Sequence, residues 1–212
     1  MRVCEIYKSI LGEGSCAGYS GVIIRLTGCN LRCLWCDTKY AYSEGYEIEP
    51  REILARTLVL KAPYALLTGG EPLLQEETVE LADSLHRAGM RVIIETNGSI
   101  DISPLPPSVV RVVDFKPPGS GMSHRNLWEN VNHLRACDEV KFVIASYEDF
   151  LWACEKSREY NLEKRVSAIL LSPAWGLLEP ARLAEWIIKE DKLRAKLNLQ
   201  LHKILWGERR GV

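Results

Sequence analysis

Residues 22–36 read Val22-Ile-Ile-Arg-Leu-Thr-Gly-Cys-Asn-Leu-Arg-Cys-Leu-Trp-Cys36. The apolar start of this stretch is typical of a buried strand. Cys29, Cys33 and Cys36 then follow on one short loop. Three thiolates at this spacing can hold three irons of a 4Fe-4S cluster, whose fourth iron is left without a protein ligand. The stretch therefore predicts a strand that delivers a metal cluster with one open position, where a substrate or cofactor can bind.

A structural zinc site is the alternative interpretation, because Cys33-x-x-Cys36 also fits half of a four-ligand zinc knuckle. A closed zinc site needs a second pair of ligands at similar spacing. The remaining cysteines stand singly, and no histidine has a partner at metal-ligand spacing. The number of available ligands therefore favours the iron-sulfur cluster over zinc.

Composition limits the class of protein. A chain of 212 residues suits a single domain, which we expect to span residues 1–212. The 27 basic and 28 acidic residues nearly cancel, so no global field favours nucleic acid or a membrane. No apolar run approaches the roughly 20 residues of a membrane helix, and the start lacks a signal peptide. Seven irregularly spaced cysteines indicate a reducing compartment, so we expect a cytoplasmic protein.

Apolar runs rich in β-branched residues alternate with helical patterns. The runs predict strands at 22–26, 65–68, 91–95, 109–115, 140–145, 166–171 and 198–201. The helical patterns cover 50–61, 75–89, 124–136, 147–160 and 179–190. This alternation indicates an α/β fold of right-handed βαβ units, either a barrel or an open sheet. Six or so strands are too few for an eightfold barrel, and functional loops should gather at the carboxyl ends of a partial one.

A second motif, Thr68-Gly-Gly-Glu-Pro72, follows the predicted strand at 65–68. Its two glycines let a ligand approach the backbone, and Glu71 offers an acceptor for an ammonium group. Taken alone, the motif is read more readily as an ordinary strand-to-helix turn. The cysteine loop at the preceding strand changes that balance in favour of a binding loop.

Together, Cys29-x3-Cys33-x2-Cys36 and Gly69-Gly-Glu-Pro72 resemble the radical S-adenosylmethionine (SAM) superfamily. The resemblance implies a partial parallel β/α barrel with about six core strands. It also implies that the methionine part of SAM chelates the open iron, and that an electron from the cluster cleaves SAM to a 5'-deoxyadenosyl radical. Gly69, Gly70 and Glu71 would receive the methionine amino group.

A narrower resemblance covers nearly the whole chain. Its segments are 9–14, 25–33, 35–40, 68–72, 95–98, 200–202 and 210–212, and they resemble the 7-carboxy-7-deazaguanine synthase family. Such enzymes are carbon-nitrogen lyases of queuosine and 7-deazapurine biosynthesis. They convert 6-carboxy-5,6,7,8-tetrahydropterin to 7-carboxy-7-deazaguanine with ring contraction and loss of ammonia. The resemblance further implies Mg²⁺, an electron donor such as flavodoxin or ferredoxin, and a homodimer.

The same resemblance implies the site residues. Cys29, Cys33 and Cys36 would hold the cluster, and Thr38 would bind Mg²⁺. The SAM contacts would be Trp35, Cys36, Asp37, Gly69, Gly70, Glu71, Asp114, Phe115, Lys116, Ser172, Pro173, Ala174 and Trp175. The pterin contacts would be Ile10, Leu11, Gly12, Glu13, Arg25, Thr68, Gln200, His202 and Val212.

Four of the pterin contacts carry more specific expectations. Gln200 and His202 would share one face of a late strand, and Val212 would contribute its terminal carboxylate. Leu11 departs from the family, which often has Gln there, so only a backbone contact would survive at that position.

Two other functions stay open. A glycyl-radical-activating enzyme would carry the same cysteine loop but would act on a partner protein, and Asp37-Thr38 with residues 9–14 favour a small-molecule pocket instead. A non-catalytic zinc or iron-sulfur module would need no Gly-Gly-Glu-Pro loop. Nucleotide chemistry is poorly supported, because neither a Walker A motif nor Gly-x-Gly-x-x-Gly follows a strand.

Overall fold

The computed structural model describes residues 1–190 and 193–212. Its strands are β1 (Arg2–Ile10), β2 (Ser20–Leu26), β3 (Tyr46–Glu47), β4 (Tyr64–Gly69), β5 (Arg91–Thr96), β6 (Val110–Asp114), β7 (Glu139–Ile144), β8 (Ala168–Pro173) and β9 (Lys196–Leu197). Its α-helices are α1 (Pro50–Val59), α2 (Glu77–Arg87), α3 (Tyr147–Glu159), α4 (Pro180–Lys189) and α5 (Leu201–Trp206). None of the described helices is long and apolar enough to cross a bilayer.

All nine strands join one sheet in the order β3-β1-β2-β4-β5-β6-β7-β8-β9. From β2 to β9 every neighbouring pair is parallel, while β1 runs antiparallel to β2 and to β3. The helices fall where local signals place them: Pro50 and Pro180 occupy the first turns of α1 and α4, and the Ser146 side chain caps α3. The carboxyl ends of the parallel strands therefore meet along one edge.

Two apolar cores show that the sheet curves into a partial barrel. The larger core lies between the sheet and the helices. The smaller, which we call the inner core, gathers buried side chains from the loop after β1 and from five strands: Leu11, Ile23, Tyr64, Ile93, Val112 and Leu170. Side chains alternate along a strand, so these residues share the inner face. Because they also pack together, that face must be concave.

The loop after β1 crosses the mouth of this partial barrel. The backbone amide of Gly14 donates to Asn198 Oδ1 over 2.8 Å, and that of Ser15 donates to Glu139 Oε1 over 3.0 Å. Both acceptors belong to the far side of the sheet, on β7 and just after β9. The loop thus links the two sides of the barrel, from the start of β7 to the segment just after β9.

The predicted α/β partial barrel with about six core strands is confirmed. β2 and β4 to β8 overlap the six strands predicted between 22 and 171, and four helices overlap their predictions. The strand predicted at 198–201 is wrong, because β9 ends at Leu197 and α5 begins at Leu201. The chain turns there since the Gln200 side chain donates to Glu13 and to Asp37.

The helix predicted at 124–136 is also wrong, since the segment forms two 3-10 turns, Ser123–Arg125 and Trp128–His133. Asn126 explains part of the break, because its side chain accepts from the backbone amide of Lys116 and donates to its carbonyl. Asn130 donates likewise to the carbonyl of Ile100. These side chains bond to other loops instead of leaving the segment to a regular helix.

Candidate active site

The cysteine loop and the Gly-Gly-Glu-Pro loop pack backbone against backbone at the ends of β2 and β4. The amide of Gly70 donates to the carbonyl of Leu26 over 3.2 Å, and that of Glu71 to the carbonyl of Gly28 over 2.8 Å. A β-carbon at position 69 would lie 2.2 Å from Leu26 O, and one at position 70 would lie 2.0 Å from Gly28 O. The two glycines are needed because any side chain would force the loops apart.

The three cysteines of the loop are half-buried and lie among hydrogen-bond donors. Cys29 Sγ accepts from the amide of Leu31 at 3.4 Å and lies 3.8 Å from Nδ2 of Asn97. Burial raises the pKa of the Cys29 and Cys33 thiols. Donors directed at sulfur are the contacts by which proteins tune iron-sulfur clusters.

The loop fits a 4Fe-4S cluster. Within residues 1–190 and 193–212, no three His, Cys, Asp or Glu side chains converge closely enough to hold one metal ion. A cubic cluster makes a different demand, because each thiolate binds a separate iron. Cys29, Cys33 and Cys36 are the side chains that would hold it.

The Glu71 side chain does not face the open mouth, which corrects the expectation that it accepts an ammonium group. Its carboxylate is fully buried and accepts from the amide of Leu73, from Thr96 Oγ1 and from the amide of Asn97. Burial raises the pKa of Glu71, although these hydrogen bonds oppose the shift. Glu71 instead joins the Gly-Gly-Glu-Pro loop to the end of β5.

A polar layer lies above the inner core. On each of β2, β4, β5, β6 and β8, the residue two positions after an inward-facing apolar residue is polar. These polar residues are, in that order, Arg25, Thr68, Glu95, Asp114 and Ser172. Strand alternation places all five on the inner face, at the carboxyl end of their strands. This layer contains four of the expected SAM or pterin contacts beside the cluster loop, namely Arg25, Thr68, Asp114 and Ser172.

Arg25 and Thr68 of this layer bond to neighbouring side chains. Arg25 donates from Nε to Glu5 Oε1 over 2.8 Å, and its Nη2 lies 3.5 Å from the Tyr7 hydroxyl. Burial alone would lower the pKa of Arg25, but hydrogen bonds to Tyr7 and Glu5 stabilise the charged form, and the pKa is raised. Thr68 donates to Glu95 Oε2 over 3.1 Å.

The residues expected around SAM divide into two groups. Lys116 pairs with Asp114 Oδ2 at 2.8 Å, while Asp114 Oδ1 is buried and has no hydrogen-bond partner in the described part of the chain. A buried acceptor without a partner suits a ligand hydroxyl. The Phe115 side chain lies instead in the outer core, stacked on Trp128 with ring centroids 4.5 Å apart. Phe115 can therefore contact a ligand only through its backbone.

The expected SAM contacts at the end of β8 and just after it, residues 172–175, also differ in burial. Ser172 Oγ accepts from Asn198 Nδ2 at 2.8 Å. Pro173 and Ala174 are buried, whereas Trp175 is exposed and has Lys203 Nζ 5.2 Å from its ring centroid. Asp37 accepts from Lys203 at 2.7 Å, so the cysteine loop, the segment after β8 and α5 meet at this point. Burial would raise the pKa of Asp37, but Lys203 and Gln200 lower it to about 2.

Glu13 is the most fully bonded of the residues expected around the pterin. Its Oε2 accepts from Lys141 at 2.8 Å and from Asn198 at 3.0 Å, and its Oε1 accepts from Gln200 at 3.0 Å. Burial alone would raise the pKa of Glu13, but the Lys141 ammonium and the Gln200 amide lower it. The carboxylate is therefore held charged within the mouth.

Leu11 does not reach the mouth. It is 2% exposed, belongs to the inner core and would contact a β-carbon at Gly21 at 2.7 Å. Its amide donates to the carbonyl of Tyr19, and its carbonyl accepts from the amide of Gly18. The structure thus assigns the Leu11 side chain to packing, which explains why Leu suits this place. Ile10, the last residue of β1, is partly buried and pairs with Ser20.

Gln200 and His202 do not share a strand face, since Gln200 precedes α5 and His202 lies within it. They still approach the mouth: Gln200 bonds to Glu13, and a β-carbon at Gly12 would lie 2.1 Å from His202 Nδ1. Burial lowers the pKa of His202 despite the nearby carboxylates. Val212 is partly buried, and close to it in the chain Arg210 stacks 3.6 Å from the Tyr40 ring centroid.

Sequence reasoning assigned no role to five polar residues that the structure brings to the mouth. These are Glu95, Asn97, Lys141, Asn198 and Lys203. Lys141 had a usable signal, because a lysine inside an apolar run predicted as a buried strand requires a partner. Glu95 and Asn97 lie in the segment 95–98 that carries the family resemblance, which implied no role for them. Asn198 and Lys203 gave no signal, since their neighbours are distant in sequence.

Comparison with known proteins agrees with this geometry. The model of the radical SAM superfamily matches residues 23–112. The chain is 41% identical to the 7-carboxy-7-deazaguanine synthase of Koribacter versatilis over the full length of both proteins. It is 38% identical to that of Chlorobaculum tepidum, covering 100% of this chain and 97% of the relative. The chain belongs to the 7-carboxy-7-deazaguanine synthase family.

The family's fold is present as well. The crystal structure of QueE from Escherichia coli superimposes with a TM-score of 0.72, covering 95% of this chain and 94% of that one at 24% identity. The protein is thus a radical SAM enzyme of the lyase type, as 7-carboxy-7-deazaguanine synthases are. Its end-to-end similarity to this family does not favour the glycyl-radical-activating enzyme or the non-catalytic metal module.

Proposed function

We propose that the protein converts 6-carboxy-5,6,7,8-tetrahydropterin to 7-carboxy-7-deazaguanine with loss of ammonia. The observation that carries this proposal is the polar layer above the inner core, beside the cysteine loop. A pterin presents amino and ring N–H donors along one edge, and the carboxylates of Glu13 and Glu95 are acceptors only. The substrate carboxylate suits Arg25, whose guanidinium can donate two parallel hydrogen bonds.

The cysteine loop would hold a 4Fe-4S cluster, and the adjoining loops would hold SAM. When bound, this pair supplies hydrogen-atom abstraction. The backbone of Gly69 and Gly70 would accept the methionine ammonium, since the Glu71 side chain is already occupied. Asp114 Oδ1 would accept a ribose hydroxyl, because it is the buried acceptor of this layer without a partner among the described residues. The remaining proposed SAM contacts are Trp35, Asp37, Lys116 and residues 172–175 at the end of β8 and just after it.

Around the pterin, side chains of the protein would orient the substrate and hold or transfer a proton. Gly12 allows His202 to approach the mouth closely. The lowered pKa keeps His202 neutral at pH 7, so its ring can donate one hydrogen bond and accept another. Such a group is suited to moving a proton as the amine leaves as ammonia. Thr68 and Gln200 complete the polar surround.

Magnesium would bind at Thr38. The Thr38 side chain makes no capping hydrogen bond to the 3-10 turn Lys39–Tyr42 that follows it, so its hydroxyl is not committed there. A neutral hydroxyl suffices as the protein ligand when the substrate supplies a carboxylate and other oxygens. The ion would then fix the orientation of the substrate and stabilise charge.

An external one-electron carrier, such as flavodoxin or ferredoxin, would reduce the cluster at the exposed side of the cysteine loop. Leu34 lies between Cys33 and Cys36 and is 71% exposed. Leu34 packs beside the turns at 118–125. Three exposed cations lie nearby in the chain: Arg32 within the cysteine loop, Lys39 just after it, and Arg125 in those turns. None of the three takes part in an ion pair within the described residues. Unpaired cations around an exposed apolar residue suit an acidic carrier.

We also propose a cytoplasmic homodimer. The cytoplasmic location is supported by the irregular cysteines, all of which are free thiols here. An apolar groove lined by Ile6, Tyr46, Ala55, Arg56, Val59 and Leu60 offers a surface for a second copy. Sedimentation equilibrium of the purified protein tests this state directly, and a monomer at micromolar concentration would contradict it.

The decisive experiment is an anaerobic assay of reconstituted protein with the pterin, SAM, Mg²⁺ and a reductant. We expect about four irons per chain and formation of both 5'-deoxyadenosine and 7-carboxy-7-deazaguanine. Cys33→Ala should abolish both products, whereas Cys137→Ala, at an exposed cysteine outside the site, should leave them unchanged. Stoichiometric zinc with no cluster after reconstitution, or a reconstituted cluster with no pterin turnover, would reject the proposal.

A further inference from the structure

Lys141 lies at the centre of three carboxylates contributed by three different elements. Its Nζ is 2.8 Å from Glu13 Oε2, 3.9 Å from Glu95 Oε1 and 3.9 Å from Asp114 Oδ2. Glu13 belongs to the loop after β1, Glu95 to β5 and Asp114 to β6, while Lys141 itself is on β7. One ammonium group therefore connects the loop after β1 to three neighbouring strands of the sheet.

The cost of burying this lysine indicates that its place is specific. Its side chain is about nine-tenths buried, at 10% exposure. A buried ammonium is stable only when paired, and Lys141 finds its partners in the carboxylates. Burial would lower its pKa, but Glu13, Glu95 and Asp114 raise it well above the ordinary value. The group is therefore a permanent cation at neutral pH.

Two of the three carboxylates stand at different halves of the proposed site. Glu13 is placed at the pterin, and Asp114, whose Oδ1 lacks a partner among the described residues, is placed at SAM. We propose that Lys141 is a positioning residue that sets the pterin-binding carboxylate and the SAM-binding carboxylate at a fixed separation. This inference rests on the proposed function, and its physical basis is the set of ion pairs that Lys141 makes with both carboxylates.

A fixed separation matters because hydrogen abstraction requires the two reactants to be held in contact. Misplacement by about 1 Å can reduce the rate of such a step by on the order of a hundredfold. Cleavage of SAM itself would depend on the cluster loop and would not need the pterin to be aligned. Loss of Lys141 should therefore separate SAM cleavage from product formation instead of abolishing both.

The test uses Lys141→Met, which keeps the length of the side chain but removes its charge, and Lys141→Arg, which keeps the charge but presents it as a planar fork. Lys8→Met is the matched control, because Lys8 is exposed and bonds to the carbonyl of Lys61 outside the site. Reconstituted holoenzymes are compared by the ratio of 5'-deoxyadenosine to 7-carboxy-7-deazaguanine formed. Calorimetry measures the dissociation constant of the pterin in the absence of SAM.

We expect Lys141→Met to raise the ratio by about tenfold or more and to weaken pterin binding by about tenfold. Lys141→Arg should raise the ratio less, and Lys8→Met should change neither quantity. A merely structural role predicts that both products fall in equal proportion. Either that outcome or a wild-type ratio in whichever Lys141 variant folds overturns the inference. If wild-type protein does not turn over the pterin, the proposed function fails instead.

Discussion

The carboxylate of Glu71 accepts a 2.6 Å hydrogen bond from the backbone amide of Asn97. This contact joins the ends of β4 and β5, and the Asn97 side chain continues it by donating to Asn30 Oδ1 over 3.0 Å. The Gly-Gly-Glu-Pro loop, the end of β5 and the cysteine loop are thus held together by a chain of polar groups. Glu71 therefore stabilises the packing of these loops, while Gly69 and Gly70 let the two backbones lie close together.

This arrangement predicts that Glu71→Gln destabilises the protein. Every oxygen of Glu71 faces a donor, so either orientation of the Gln amide places its NH₂ group against an N–H or O–H group. We expect a loss of about 1–3 kcal/mol in the free energy of unfolding, measured by urea denaturation. Glu76→Gln, at an exposed position, is the control. Equal stability of Glu71→Gln and wild type would contradict this assignment.

A second prediction concerns Thr38 and magnesium. Thr38→Ala should weaken the stimulation of product formation by Mg²⁺ while the cluster still assembles, because the hydroxyl ligand is lost but the cysteines remain. Thr38→Ser keeps the hydroxyl and should be affected less. Product formation is measured across a Mg²⁺ titration, with iron content as the control. Wild-type Mg²⁺ dependence in the Ala variant would show that Thr38 is not a ligand.

The pH dependence of stability provides a third prediction, through His202. Burial lowers the pKa of this histidine below its ordinary 6.5, so the unfolded chain binds the proton at higher pH than the folded one. The free energy of unfolding should therefore fall as pH decreases below about 6.5. His202→Gln should lack this part of the decline. Denaturant titrations between about pH 7.5 and 5.5 compare the two, with His86→Gln as a control on α2; parallel curves for His202→Gln and wild type would refute it.

A fourth prediction tests the surface beside the cluster loop. Arg32 lies 4.3 Å from the Tyr42 ring centroid and donates to the carbonyls of Cys29 and Leu31. It has no acidic partner among the described residues, so Arg32→Glu reverses a charge without breaking an ion pair. Turnover driven by flavodoxin should slow and lose its salt dependence, because steering of the acidic carrier is weakened. Turnover driven by dithionite should not change. Arg51→Glu, on α1, is the matched control, and equal slowing with both reductants would contradict a docking role.

The sequence predicted the parallel strands well because buried parallel strands are continuous apolar runs, as in Val22 to Leu26. It missed β1, whose apolar residues are interrupted at every third position by Arg2, Glu5 and Lys8. Near the edge of the sheet such polar residues are tolerated, so the strand carries a weak apolar signal. Local composition does not contain the pairing with β2 that stabilises it.

Within the site, spacing identified the cysteines and the glycines because their geometry is local. The directions of Glu71, Leu11 and Phe115 were not predictable, since each depends on which neighbour the tertiary fold brings near. Gln200 shows this most clearly: it ends the extended segment by bonding to Glu13 and Asp37, which are 187 and 163 residues away in the chain. Contacts of that separation leave no periodic pattern in the sequence.

The inner core has a consequence for how reactants can reach the site. Side chains such as Ile23, Ile93 and Leu170 fill the barrel beneath the polar layer, so that layer has an apolar floor. A reactant cannot pass through a close-packed floor and has to approach the layer from its other side. Two reactants that share this layer would therefore bind from the same side, and the second to bind would keep water from the first.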